Sequence, residues 1–206
     1  MHSYRSPFAP LEGTTPAPRA LFIDRWGTLL EPPREGFARV PADVRFVAGA
    51  VEALFRAARA GWKLYLIGNE EAVAFGHQSM QDWQAIEDTI LGELGRAGIP
   101  IGKSYACTEH PRGSTDRQND SVYLLPNTGA FYHAHHTDGV DLGKSWVVGD
   151  STLELVAGWR AGVRLAAVRT GAGLDDRTFE VDPELFEDDL CGVVRELLTR
   201  TESLHH

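Results

Sequence analysis

Leu21-Phe22-Ile23-Asp24-Arg25-Trp26-Gly27-Thr28-Leu29-Leu30 is the stretch that decides the fold. An apolar run ends in an aspartate and turns at once through Gly-Thr, which places one carboxylate at the carboxyl edge of a sheet. Open α/β folds bind their ligands there.

Working outward, Ala20 to Asp24 reads as a buried strand, followed by Val47, Val51, Leu54, Phe55 and Ala58 at helical spacing until Gly61 closes that helix. Trp62 to Ile67 is a second apolar run. Ser79 is placed to cap a helix with Trp83, Ile86, Ile90, Leu94 and Ala97 on one face, and Ile99 to Ala106 returns as a strand. Cys107 to Asn127 reads as a loop and Gly129 to Thr137 as a helix. The strand Trp146-Val147-Val148-Gly149-Asp150, a helix to Ala161, the strand Val163 to Val168 and a last helix near Asp188 to Arg200 complete the chain. This alternation predicts a Rossmann-like α/β domain, a mostly parallel sheet with helices on both faces and right-handed crossovers.

The 206 residues fit one domain over 19–202 without a large cap. Residues 1–18, with four prolines and no apolar run of signal-peptide type, read as a disordered tail, and 203–206, ending in His205-His206, are set aside as an expression remnant. A formal charge of -9 and a pI near 5.3 argue against a nucleic-acid partner, because binding a polyanion needs clustered Lys and Arg. No run of about 18 apolar residues suggests a membrane span. Cys107 and Cys191, only two and far apart, fit a reducing cytoplasm better than a disulfide framework.

Asp24 and Asp150 both end apolar strands, so a parallel sheet would bring their carboxylates together at one edge. Two such oxygens plus the backbone carbonyl of Trp26 make a hard-cation site of the kind Mg²⁺ takes. Each aspartate has a plainer reading as a cap of the helix that follows.

Asp24-Arg25-Trp26-Gly27-Thr28-Leu29, Gly68-Asn69, Val148-Gly149-Asp150 and Val168-Arg169-Thr170-Gly171 together resemble the haloacid-dehalogenase-like (HAD) superfamily. The similarity is strongest to its histidinol-phosphate and heptose-bisphosphate phosphatase branch and runs from about Ala20 to about Gly173. The resemblance implies an aspartyl-phosphate mechanism. One aspartate attacks phosphorus, a second donates a proton to the leaving group, a Thr or Ser and a Lys hold the phosphoryl oxygens, and acidic residues hold Mg²⁺. Carried over, it makes Asp24 the nucleophile and Asp24, Asp150 and the Trp26 carbonyl the metal ligands. Glu154, Asn69 and Thr28 become supporting residues.

Other positions depart from the pattern. Trp26 stands where the general acid belongs, and an indole N–H exchanges no proton at neutral pH. Its ring either fills space beside the pocket or stacks on a ligand. The phosphate-binding hydroxyl is replaced by Gly68, and Glu70 and Glu71 follow it; they either add negative charge to the site or cap the next helix and face solvent. The lysine motif aligns with Leu125-Pro126-Asn127-Thr128-Gly129 and lacks its lysine, leaving Lys144 and Arg169 as the stand-ins to consider, although Lys144 reads more readily as a strand-entrance residue in water. Glu154 either faces the metal through water or is an ordinary first-turn acid.

The branch's zinc loop is reduced to Cys107 and His110. Zinc needs four N or S ligands, so no structural zinc is expected; Cys107 reads as a buried small residue and His110 as a solvent-facing one. His133 and His136 share a helical face but lack a third ligand, and read as a polar surface. The balance favours a phosphatase relative whose activity on a small phosphorylated metabolite is weak or lost. The alternative is an active Mg²⁺-dependent hydrolase with Asp24 as nucleophile.

Overall fold

The computed structural model describes residues 16–203. All of the expected remnant but Ser203, which ends the last helix, and all but the last residues of the expected tail lie outside them. Six parallel strands form one sheet in the order β3-β2-β1-β4-β5-β6. They are β1 (Ala20–Asp24), β2 (Lys63–Asn69), β3 (Ile101–Cys107), β4 (Trp146–Gly149), β5 (Arg164–Val168) and β6 (Leu185–Glu187). The helices are α1 (Ala50–Arg59), α2 (Glu71–Ala74), α3 (Met80–Arg96), α4 (Gly129–Asp138), α5 (Thr152–Ala161) and α6 (Leu190–Ser203).

Period-two alternation along β1 sends Leu21 and Ile23 into the core on one face and Ala20 and Phe22 into the core on the other. The first core packs Ile86 and Ile90 of α3 with Val193 and Leu197 of α6. The second packs Phe131 and Ala134 of α4 with Leu155 and Ala157 of α5. Ser79 caps α3 as its position suggests, accepting from Asp82 N at 3.1 Å.

After β1 the chain winds outward through β2 and β3, then crosses back to β4 on the other side of β1. Neighbouring parallel strands whose connections leave in opposite directions open a crevice at their carboxyl ends. Ile23 pairs with Val148, which sets Asp24 and Asp150 on the two lips of that crevice.

Candidate active site

The two aspartates converge. Their side chains come within hydrogen-bonding reach of each other. Asp150 Oδ2 also accepts from Ala172 N at 2.6 Å, and its carbonyl accepts from Leu174 N at 2.7 Å. Gly27 and Gly171 press on that carboxylate from two sides at φ of +97° and +64°, where a Cβ on either would overlap Oδ2. Only glycine combines that backbone with that approach. Asp150 does not cap α5, because Ser151 is the N-cap and accepts from Leu153 N at 3.2 Å. Ser151 Oγ in turn donates to Glu154 Oε2 and holds that carboxylate against the site.

Asp24, Glu70, Glu71, Asp150 and Glu154 line a cavity of about 340 Å³, walled by Trp26, Phe37 and Asn69. Among the described residues, no lysine or arginine lines it. Crowding shows in the acids' titration. Burial, then the charges of Glu154 and Asp150, push Asp24 well above the usual carboxylate range. Burial likewise raises Asp150, and it raises Glu154 to about 7. A divalent cation would relieve this repulsion, so the donor set fits Mg²⁺. Among the described residues no three His, Cys, Asp or Glu side chains gather as ready ligands, which leaves two carboxylates, backbone oxygen and water as the coordination expected.

Several expectations need correction. Glu70 neither caps α2 through its side chain nor faces solvent; it is buried, with Oε2 accepting from Trp26 Nε1 at 3.4 Å. Glu71 is exposed at the cavity mouth. Lys144 lies at the opposite end of the sheet, paired with Asp141 at 3.1 Å, and Arg169 turns to Asp188 and the Phe186 ring. Neither cation lines the cavity, so neither stands in for the missing lysine. Thr28 is fully buried and outside the cavity lining. Asn69 lines the cavity, but its amide is engaged with Leu125, accepting from N at 2.8 Å and donating to O at 3.1 Å. His110 packs at a tilt against Phe75 and accepts from Arg112 N, and half-buried His133 bonds the Tyr123 hydroxyl at 2.7 Å. Cys107 is buried, its thiol raised by that burial, with Sγ donating to Glu109 O.

Arg25 escaped the sequence reading altogether. Its side chain is fully buried behind Asp24; Nη2 donates to Ser104 Oγ and to Glu87 Oε1 at 3.4 Å, and Nη1 sits 3.7 Å from Glu70 Oε1. A Cβ on Gly68 would stand 3.1 Å from Arg25 Nη1 and 3.4 Å from Asp24 Oδ1. The guanidinium therefore crowds the space where the resembled phosphatases carry a hydroxyl. The available signal was an arginine inside an otherwise apolar run, with carboxylates at positions 70 and 87 to meet it.

No protein-family model matches the chain. It is 31% identical over 146 residues to the D-glycero-alpha-D-manno-heptose-1,7-bisphosphate 7-phosphatase of Burkholderia mallei, covering 70% of this chain and 76% of that one. It is 30% identical over 158 residues to the corresponding beta-specific enzyme of Haemophilus ducreyi, covering 76% and 86%. A D,D-heptose 1,7-bisphosphate phosphatase from B. bronchiseptica, solved with magnesium and phosphate, shares the fold at a TM-score of 0.77 and 23% identity, over 88% of this chain and 99% of that one. With the crevice, the paired aspartates and these relatives in agreement, the chain belongs to the heptose-bisphosphate phosphatase branch of the HAD superfamily.

Proposed function

We propose that this chain keeps a divalent-cation site at Asp24, Asp150 and the Trp26 carbonyl, and that its phosphomonoesterase activity toward sugar phosphates is weak or lost. One observation carries the reading: among the described residues, five carboxylates and no cationic side chain line the cavity. A phosphomonoester arrives with negative charge of its own. Each unit charge at 4 Å is worth about 4 kcal/mol at an effective dielectric of 20, and phosphoryl transfer depends on charge stabilisation above all. Mg²⁺ supplies a Lewis acid and two positive charges when bound. The protein's part is to aim Asp24 at phosphorus and to anchor Asp150 through Ala172 N.

The direct test incubates the protein with Mg²⁺ and heptose 1,7-bisphosphate, histidinol phosphate or a chromogenic phosphomonoester, beside Asp24→Asn. Turnover indistinguishable from that variant, or far below the 1 to 10³ s⁻¹ typical of enzymes, is the expected result. Robust turnover abolished by the substitution overturns it in favour of an active hydrolase. One observation favours that second reading. Glu70 lines the cavity beside the indole that replaced the acid, and burial pushes its carboxyl up to about 7. That value suits proton transfer near neutrality. An active protein made inactive by Glu70→Gln would support it.

Metal binding should be linked to pH. Glu70 and Glu154 are raised from 4.5 to about 7, so between those values the folded chain holds more protons than the unfolded one. These groups therefore make metal-free stability fall as pH rises through that window. Mg²⁺ competes with the protons, so its affinity rises over the same window. At pH 8 and 100 times its Kd, Mg²⁺ should add about 2.7 kcal/mol, with a far smaller gain at pH 5. Melting curves with and without Mg²⁺ read this out. An equal gain in Asp24→Asn/Asp150→Asn would place the metal elsewhere.

A further inference from the structure

Residues 169–179 leave β5 and run back past the first turn of α5. Two of their backbone N–H groups serve Asp150: Ala172 N donates to Oδ2 at 2.6 Å and Leu174 N to the carbonyl at 2.7 Å. The upstream end of the loop is fixed to the sheet by Arg169 N, which donates to Glu187 O at 3.0 Å. Its grip on Asp150 is therefore only as firm as the downstream end.

Asp176 closes that end. Its Oδ1 accepts from Thr152 N at 3.0 Å, its Oδ2 accepts from the Thr152 hydroxyl, and that hydroxyl accepts from Phe179 N at 3.1 Å. Thr152 opens α5 two residues after Asp150 and is 3% exposed. A ring of contacts thus runs from Asp150 through Thr152 to Asp176 and back along the loop to Leu174 and Ala172. The ordinary cap of α5 is already supplied by Ser151, which accepts from Leu153 N. Fixing the loop at both ends also explains its backbone. Leu174 at φ +68° and Arg177 at φ +45° sit in the left-handed region, which non-glycine residues keep only where their surroundings over-determine them.

We propose that Asp176 is a positioning residue for the cation site: its paired bonds to Thr152 keep the 169–179 loop closed on Asp150. The inference rests on the reading that Asp150 binds a divalent cation. Carboxylates that hold metals are themselves held by hydrogen bonds, and removing such outer partners typically weakens metal binding about 10- to 100-fold. Asp176 acts one step further out, through Ala172 N, so the low end of that range applies. Its charge is a separate influence: burial first, and then the charge of Asp176, raises Asp150. The two actions part on substitution. Asparagine removes the charge but keeps an acceptor for Thr152 N, with its amide turned to the hydroxyl, whereas alanine removes both.

The test titrates the full chain with Mg²⁺ at pH 8 by calorimetry, beside melting curves of the metal-free protein. Asp176→Ala should raise the Mg²⁺ Kd about 10-fold and Thr152→Val by a similar factor, while Asp176→Asn stays within about 3-fold of the natural chain. Because both residues act through one contact, the double variant should exceed either single one by little. Asp176 is exposed, so its variants keep the folded core. A lower melting temperature with an unmoved Kd would reduce Asp176 to a structural contact and overturn the proposal. So would equal losses in Asp176→Ala and Asp176→Asn that fade in about 0.5 M salt, the mark of charge acting alone. Asp150→Asn is the control. If it leaves Kd unmoved, the cation sits elsewhere and the reading of the site falls with the proposal; if it abolishes binding while Asp176→Ala does not weaken it, only the role of Asp176 falls.

Discussion

Replacing Trp26 by aspartate together with Asn127 by lysine is expected to raise phosphomonoester turnover about 10²-fold or more over the natural chain. The aspartate restores a group able to exchange a proton, a contribution of ~10²- to 10⁴-fold in other enzymes. The lysine adds a cation to a cavity lined by five carboxylates. Both changes are needed, because aspartate alone adds a sixth negative charge beside Glu70. Trp26→Asp by itself should therefore gain much less than the pair. Geometry sets the demand on residue 127. Asn127 is exposed, donates to Ser121 O at 3.0 Å and lies outside the cavity lining, so a lysine must extend inward from the loop before α4. Steady-state kinetics on a chromogenic substrate reads the outcome. If the double variant gains nothing, the proposed loss of activity does not come down to these two side chains. The next obstacle is then Gly68, where threonine would press its Cβ to 3.1 Å from Arg25 Nη1.

The fold was legible because its strands and helices announce themselves locally. Strand-end Asp24 and Asp150 needed only an apolar run before each and alternating elements between them. Boundaries moved by a residue or two, as frayed ends do. Among the strands and α-helices, two were missed for a physical reason: β6 spans three residues and α2 four, too short for a period to register. The site was legible only where a residue acts through its own strand. Arg25 and Glu70 owe their burial to Ser104 of β3 and Glu87 of α3, far away in sequence, and no local pattern reports such a meeting. Lys144, read more readily as a strand-entrance residue in water than as a stand-in, is found there. A lysine near Asp150 in the chain is a whole strand away in space, since β4 runs between them.

Arg25→Met is expected to destabilise the protein by about 3–5 kcal/mol at pH 8, the usual cost of removing one partner from a buried charge cluster. The side chain is fully enclosed, so methionine keeps much of the packing while stripping the positive charge from between Glu70 and Glu87. The effect should shrink in acid. Burial raises Glu70 to about 7 with the guanidinium present, and removing that cation, which lowers it, pushes it higher still. Below that value the carboxyl takes up a proton and the uncompensated charge vanishes, so the loss at pH 5.5 should be clearly smaller than at pH 8. Glu70→Gln in the Arg25→Met background should recover part of the loss at pH 8, and none of it if Arg25 acts only by filling space. Urea unfolding at the two pH values separates these cases. A loss below about 1 kcal/mol at pH 8, or one independent of pH, would mean that Ser104 and the Trp83 ring, not the carboxylates, define the place of Arg25. The stakes reach the active site, because the same guanidinium stands behind Asp24 and fixes what residue 68 can be. Placing a hydroxyl at position 68 must therefore alter Arg25 first, and with it the pair that holds Glu70 in the fold.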